Sequence, residues 1–212
     1  YNISLNYKKL GNLEKSLETI NRYILTTDIK VDFKDYIDGI ILKANCYIEM
    51  YEYNIARDLY ESILVLFEDD NEVLLGYIYN NLGLVCLEIG NIEKSIEYFE
   101  KAQFIRMNND LGSLSHTTID KAKVYIKIKD FDKALELAKM GISMAQTYND
   151  KEYQVKGFMI IEECYINKNN YEKMEDLYNE IINVLKETED KQDIAKVYGK
   201  LALISIKNNS ID

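Results

Sequence analysis

The sequence predicts an all-α fold, a right-handed α-solenoid in which pairs of helices stack one after another. Three observations predict it: the 212 residues include no proline and only nine glycines, one short motif recurs every 39 or 40 residues, and small and aromatic residues follow helical spacings. Such scarce proline and glycine is untypical of turn-dense β folds. Apolar residues make up 47% of the chain, enough for a sizeable core rather than a disordered polypeptide.

The second helix of each repeat is predicted to begin at a four-residue motif, usually Asn or Asp, an apolar residue, an acidic residue and Lys. The five motifs begin 40, 39, 39 and 40 residues apart, at Asn12, Glu52, Asn91, Asp130 and Asn170. An Asn or Asp side chain there accepts a hydrogen bond from an unpaired backbone N–H of the first turn, and the acidic residue favours the positive end of the helix dipole. Gly11 and Gly90 precede two motifs, where we expect the preceding helix to end in a left-handed glycine.

A first helix is predicted upstream of each motif, with a small residue on the face that packs against the second helix. The small pairs lie twelve residues apart and are Ser4 with Ser16, Ala44 with Ala56, Gly83 with Ser95 and Ala122 with Ala134, whereas Glu162 and Met174 take these places in the fifth repeat. One helix pair cannot bury its apolar stripe alone, so stacked pairs share a continuous core. We therefore expect one domain over residues 1–212, with repeats at 1–36, 37–75, 76–114, 115–154 and 155–194 and a partial repeat, a terminal helix, at 195–212.

The third repeat resembles a tetratricopeptide (TPR) repeat. It carries the residues of that pattern at Tyr79, Leu82, Gly83, Gly90, Ser95, Phe99 and Ala102. The other repeats match more loosely, and the resemblance, which covers almost the whole chain, implies a solenoid whose first helices line a concave side. Two features depart from it: the closing proline is absent, and the period exceeds the usual ~34 residues, so each helix should be somewhat longer.

Charge and residue counts exclude several classes of function. The chain has 26 basic and 36 acidic residues, a net charge of −10, which disfavours direct binding to nucleic acid. Its three cysteines form no CxxC motif and are expected to be core residues, and one histidine cannot build a His-rich metal site. Without a phosphate-binding loop or a nucleophile motif, we expect no enzyme activity, no catalytic residue, no cofactor and no metal. No apolar run reaches the ~20 residues of a membrane helix, and three cysteines that cannot all pair suit a reducing compartment, so the protein is expected to be cytoplasmic.

The TPR register places a set of polar side chains on the concave face, and these are the predicted peptide-binding residues. They are Asn45, Tyr77, Asn80, Asn81, Asp120, Lys123, Lys156, Glu163 and Lys200. An Asn amide both donates to and accepts from a peptide group, and the lysines would favour an acidic side chain or a terminal carboxylate. Apolar pockets are expected at Ile41, Leu42, Ile119, Met159 and Ile160. The alternative is that these are ordinary solvated residues, with Tyr77 packed between repeats and His116 simply starting a helix.

Long repeats with asparagines on the inner face, in a chain rich in Lys, Asn, Ile and Tyr, resemble the peptide-pheromone receptors of the Rap, NprR, PlcR and PrgX type. That resemblance implies a peptide-binding sensor and oligomerisation domain of a cytoplasmic transcriptional regulator in quorum sensing. Its ligand would be a short linear peptide, its partner a second copy in a homodimer, and DNA would be contacted only through a separate N-terminal helix-turn-helix domain outside this chain. The alternative is a general TPR scaffold or adaptor for protein–protein interaction.

A third use of TPR domains, the carboxylate clamp of heat-shock co-chaperones, fits less well. Asn45 and Asn81 match the two asparagines of that clamp, but its basic positions are occupied by Ile41, His116 and Asp120. An acidic residue where the clamp needs a cation argues against this use.

Overall fold

The computed structural model describes residues 1–28, 32–67, 73–188 and 191–209, and these ranges fold as eleven α-helices with no strand. The helices are α1 (Asn2–Lys9), α2 (Leu13–Thr26), α3 (Phe33–Glu49), α4 (Tyr53–Leu64), α5 (Val73–Ile89), α6 (Ile92–Asn109), α7 (Leu111–Lys127), α8 (Phe131–Thr147), α9 (Lys151–Asn167), α10 (Met174–Thr188) and α11 (Lys191–Asn209). The predicted all-α class, five helix pairs followed by a terminal helix, is confirmed. None of the described helices has the length and apolarity needed to cross a membrane.

The chain divides into two compact units, of which the N-terminal one spans Tyr1–Ile105. In it α1 packs on α2, α2 on α3, α3 on α4 and α4 on α5. The side chains buried most completely include Tyr60 and Phe99 on second helices and Ile37 and Leu82 on first helices. The helix pairs of this unit therefore share one core rather than each having its own.

The C-terminal unit spans Arg106–Asp212. There α7 packs on both α8 and α9, α9 packs on α8 and α10, and α10 packs on α11. A short 3₁₀ turn, Tyr171–Lys173, precedes α10. Ile119 lies at the centre of the core, fully buried between Gly141 and Gly157. The prediction of a pocket at Ile119 is therefore wrong. Because Gly141 and Gly157 have no side chain, the backbones of α8 and α9 come close to Ile119 and enclose it.

The predicted helix caps form in three of the five repeats. The side chains of Asn12, Asn91 and Asp130 each accept a hydrogen bond from the backbone N–H three residues on, at 3.0–3.2 Å. Glu52 and Asn170 make no such bond. Glu52 has a longer side chain than the favoured caps, and the helix after Asn170 begins with the 3₁₀ turn.

Each helix pair is joined by a turn with one left-handed residue directly before the motif. Gly11 and Gly90 take φ angles of 73° and 89°, as predicted, and Tyr51, Lys129 and Asn169 take the same place at 62°, 63° and 53°. The backbone N–H of the following residue then donates to the carbonyl five residues earlier, at 2.8–2.9 Å. Such a bond closes the end of a helix, and the turn has the same form in all five repeats although only two of them have glycine.

Small residues bring the two helices of a pair together where the sequence placed them. Ser4 and Ser16 each donate from the side chain to the carbonyl of the other, at 2.8 and 2.9 Å, and the Ser95 hydroxyl donates to the Gly83 carbonyl at 2.7 Å. A Cβ on Gly83 would lie 2.8 Å from the Phe99 ring. These close contacts show that the register assigned from the sequence is correct.

The three cysteines are core residues, as predicted. Cys46, Cys86 and Cys164 are all buried and unpaired. Burial raises the pKa of each thiol, that of Cys164 to about 11. Because the thiolate is the reactive form, these groups are inert at neutral pH.

Candidate functional site

The first helices of the N-terminal unit line two cavities that meet at Asn45. One has a volume of about 300 Å³ and the other about 320 Å³. The first is lined by Lys8, Asn45, Ile48, Glu49, Tyr53, Asn81, Leu84, Val85 and Glu88. The second is lined by Tyr1, Leu5, Lys8, Asp38, Ile41, Leu42, Asn45, Leu74 and Tyr77. The pockets expected at Ile41 and Leu42 therefore belong to a concavity that also holds two predicted polar residues.

Asn45 is held in place by a tyrosine from the second helix of its own repeat. The Tyr60 hydroxyl, on a side chain with no exposed surface, donates to Asn45 Oδ1 at 2.7 Å. Asn45 Nδ2 in turn donates to the Tyr77 hydroxyl at 3.4 Å. Burial, followed by the neighbouring Tyr77, raises the pKa of Tyr60 well above its ordinary value, so its proton stays in place as the donor. The carboxamide is fixed from behind and keeps an N–H available on the cavity side.

The other two predicted asparagines differ in accessibility. Asn81 Nδ2 donates to the Tyr77 carbonyl of its own helix at 2.9 Å, and the side chain lines the first cavity. Asn80 is only 5% exposed and points into the helix packing. Its neighbour Tyr77 is 37% exposed and lines the second cavity. Of this group, the structure brings Asn45, Asn81 and Tyr77 to the cavity walls.

A lysine that the sequence reasoning missed also lies at both cavities. Lys8 of α1 forms an ion pair with Glu49 of α3, and it lines both concavities. The helical period does not reveal Lys8 as a cavity residue, because it lies four residues after the buried Ser4, on the face that packs against α2.

The C-terminal unit carries a larger cavity, of about 660 Å³. Its walls come from α7, α9 and α11, and it is lined by Lys123, Lys156, Met159, Ile160, Glu162, Glu163, Ile166 and Lys200. Four predicted site residues, Lys123, Lys156, Glu163 and Lys200, thus meet at one place. Met159 and Ile166 expose 57% and 46% of their surfaces there. A concavity with apolar walls and a few charged groups is typical of a ligand site.

Each lysine of this cavity is paired with a carboxylate. Lys123 Nζ lies 2.7 Å from Asp120 Oδ1, Lys156 Nζ lies 2.7 Å from Glu152 Oε1, and Lys200 Nζ lies 2.8 and 3.0 Å from the two oxygens of Glu162. Each lysine is therefore neutralised by a carboxylate of the same unit. The buried Asp120, 3% exposed, holds Lys123 in position rather than presenting its own carboxylate to the cavity.

Glu162 takes the place of the small residue that other repeats have, and it is the second residue that sequence reasoning missed. Tyr178 of α10 donates to its Oε1 at 2.6 Å, while Lys200 approaches from α11. The arrangement parallels that at Asn45, because Tyr178 and Tyr60 occupy the same position of their repeats. The equivalent position of the second helix holds Ile20, Phe99 and Ala138 in the other repeats. The tyrosine hydroxyls at 60 and 178 are the signal that the sequence offered.

His116 has a partner of its own. Its Nε2 lies 2.6 Å from Asp150 Oδ2, and its ring stacks on Tyr153 at 3.6 Å between centroids. The Asp150 side chain also accepts a hydrogen bond from the Tyr153 backbone N–H at 3.0 Å, which caps α9. His116 therefore joins α7 to the start of α9.

The comparisons with known proteins agree with this architecture. A family model described as tetratricopeptide repeat matches residues 76–103, while no curated protein sequence matches the chain significantly. Among solved structures, BtubC from P. vanneervenii matches with 16% identity and a TM-score of 0.68. The match covers 93% of this chain and 82% of the BtubC chain. The apo form of RapI matches with 17% identity and a TM-score of 0.68, over 99% of this chain and 83% of the RapI chain. The apo form of the quorum sensor NprR from B. thuringiensis matches with 20% identity and a TM-score of 0.68, over 97% of this chain and 64% of the NprR chain.

These comparisons show the fold of the chain. Residues 76–103 form a tetratricopeptide repeat, and the chain has the fold of TPR solenoids, including the Rap- and NprR-type regulators. Solenoids of stacked repeats form extended concave surfaces that can bind other molecules. At identities of 20% or less, the structural likeness shows the fold alone.

Proposed function

We propose that this domain binds a short linear peptide on its first-helix faces. The observation that carries the proposal is Asn45, whose carboxamide is fixed by the buried Tyr60 hydroxyl and faces two cavities. An amide that is already oriented loses little side-chain entropy when it binds a peptide group. Asn81 and Tyr77 supply further polar groups beside it, and the apolar walls accept side chains of the peptide.

The wider role in this proposal is that of the sensor and oligomerisation domain of a cytoplasmic transcriptional regulator, acting as a homodimer and contacting DNA through a separate domain. The likeness to RapI and to the quorum sensor NprR supports it. A ligand changes such a domain only by as much as it prefers one conformation over another. Light scattering with and without bound peptide measures whether the oligomeric state responds.

A general interaction scaffold is the second candidate function. BtubC matches the chain with the same TM-score, 0.68, as RapI and NprR, so the fold is also compatible with a role other than that of a regulator. A scaffold should bind a folded partner and select no short peptide, whereas a sensor should select a defined class of short sequences from a random array.

The test is a binding measurement with a peptide selected from a random array by the full chain. Asn45→Ala and Asn81→Ala should each weaken binding by about 1 kcal/mol, roughly fivefold, because a hydrogen bond to the peptide is lost. Tyr60→Phe should weaken binding as well, since it releases the Asn45 amide without touching the cavity. Asn54→Ala removes an exposed asparagine from the second helix of the same repeat and should change nothing. Unchanged affinity in both first-helix Asn variants would reject the backbone-binding role of these amides.

A further inference from the structure

One face of α9 presents a charge pattern that the peptide-binding proposal does not use. Lys156, Met159, Ile160, Glu163 and Ile166 all line the large cavity of the C-terminal unit, and their spacing places them on one side of the helix. Lys156 and Glu163 are seven residues apart, so they lie almost in line, about 10 Å apart along the axis. The wall therefore has a cation at one end, an anion at the other and apolar side chains between them.

The three lysines of the cavity differ in how firmly their partners hold them. The side chains of Asp120 and Glu162, which pair with Lys123 and Lys200, are 4% and 12% exposed. Removing the cation from such a buried carboxylate is costly, so these two lysines stay in place. Lys156 pairs with Glu152, whose side chain is 74% exposed, and its Nζ lies 4.0 Å from the centroid of the Tyr153 ring. An ion pair with such an exposed carboxylate contributes little, and the ring carries no net charge, so Lys156 has no buried counter-ion. Lys156 is thus the lysine that an incoming anion can recruit.

Glu163 is the complementary group. Within the part of the chain that the structure describes, its carboxylate forms no ion pair, although the carboxylates of Glu162 and Asp120 nearby each hold a lysine. The side chain is exposed and lines the cavity. A basic group of a bound molecule therefore finds an uncompensated carboxylate here.

We propose that the C-terminal cavity selects peptides in which a basic and an acidic residue flank an apolar pair, the basic group meeting Glu163 and the acidic group meeting Lys156. The spacing of about 10 Å corresponds to one turn of a peptide in the polyproline II conformation, three residues at about 3.1 Å each, which brings residues one and four to the same side. The charged residues therefore occupy the first and fourth positions of a four-residue segment. The apolar residues between them contact Met159 and Ile160. This inference rests on the proposed peptide-binding function and names the class of peptide.

The experiment uses capped synthetic peptides and calorimetric titration of the full chain. The probe is acetyl-Gly-Arg-Leu-Leu-Glu-Gly-amide, and the neutral reference has Gln in place of both Arg and Glu. The charged peptide should bind roughly three- to tenfold more tightly, and the difference should shrink as salt is added. Glu163→Gln should remove the advantage of Arg, so that it weakens binding of the charged peptide more than binding of the neutral peptide.

Glu152→Gln is the matched control, because it removes a carboxylate one turn from Lys156 that does not line the cavity. It frees Lys156 and should strengthen binding of the charged peptide, the opposite of the effect of Glu163→Gln. Equal affinity for the charged and neutral peptides, or a loss in Glu163→Gln that is the same for both, overturns the charge selection while peptide binding stands. If no peptide of the random array or of this set binds, the proposed function fails together with it.

Discussion

Replacing Gly83 by Ala tests the close contact that defines the third helix pair. The added Cβ would lie 2.8 Å from two carbons of the Phe99 ring, nearer than real Cβ contacts come. Phe99 has no exposed surface, so the ring cannot move into solvent. Overpacking of this kind costs about 1–3 kcal/mol, whereas Gly→Ala inside a helix by itself gains about 1 kcal/mol. We expect a net loss of up to about 2 kcal/mol.

Gly199→Ala is the matched control for this change. Gly199 also lies inside a first helix, α11, but a Cβ added there would have no atom of the described residues within 4 Å beyond its own helix. It should therefore keep the gain in helix propensity, and the two variants should differ by about 1–3 kcal/mol. Urea unfolding followed by the helical circular dichroism signal measures both.

A double variant identifies the source of the effect. On a Phe99→Leu background the ring is absent, so Gly83→Ala should cost less than it does in the parent chain, and the difference is the coupling between the two sites. The reasoning is refuted if Gly83→Ala is as stable as Gly199→Ala, or if its cost is the same with and without the Phe99 ring.

Two further outcomes follow from the turns and the caps. Gly90 takes a φ of 89°, and no described neighbour would crowd a Cβ there, so Gly90→Ala should destabilise the fold by about 1–2 kcal/mol through backbone strain alone, and an unchanged melting temperature would contradict the left-handed turn. Burial opposes ionisation of Asp150, but the backbone N–H of Tyr153 and the His116 ring outweigh it and lower its pKa. The ionised carboxylate therefore stabilises the fold above about pH 4, and this contribution is lost as the pH falls through the lowered pKa. Asp150→Asn, which retains a capping side chain, should cost about 1 kcal/mol at pH 7 and progressively less below pH 4, and a cost independent of pH would show that the charge is not involved.

The repeat architecture could be predicted because its signals are local. Asn12, Asn91 and Asp130 cap helices through atoms three residues away, and Gly83 faces Ser95 across a short turn. Sequence spacing fixes such contacts almost completely. The same reasoning missed the left-handed residues Tyr51 and Lys129, since neither residue type prefers that conformation and the position in the repeat imposes it.

The candidate site could be predicted only as a set of positions. Asn45, Asn81 and Tyr77 do reach the cavities of the N-terminal unit, because the helical register decides which face a residue occupies. Asn80, on the same helix as Asn81, is instead buried by its neighbours. Register alone does not say how deeply a side chain at the edge of a face is covered, because that depends on the size of the residues on adjacent helices.

Capping, spacing and residue size within one repeat fix the number of helix pairs, their order and the faces on which they pack, so the amino-acid sequence is enough to predict these features. Which charges and hydroxyls meet depends on how the repeats pack together. Lys200 pairs with Glu162 across 38 residues, and Tyr60 of α4 fixes Asn45 of α3. Long polar side chains can reach several partners from one helix position, and only the packed arrangement of neighbouring helices selects among them.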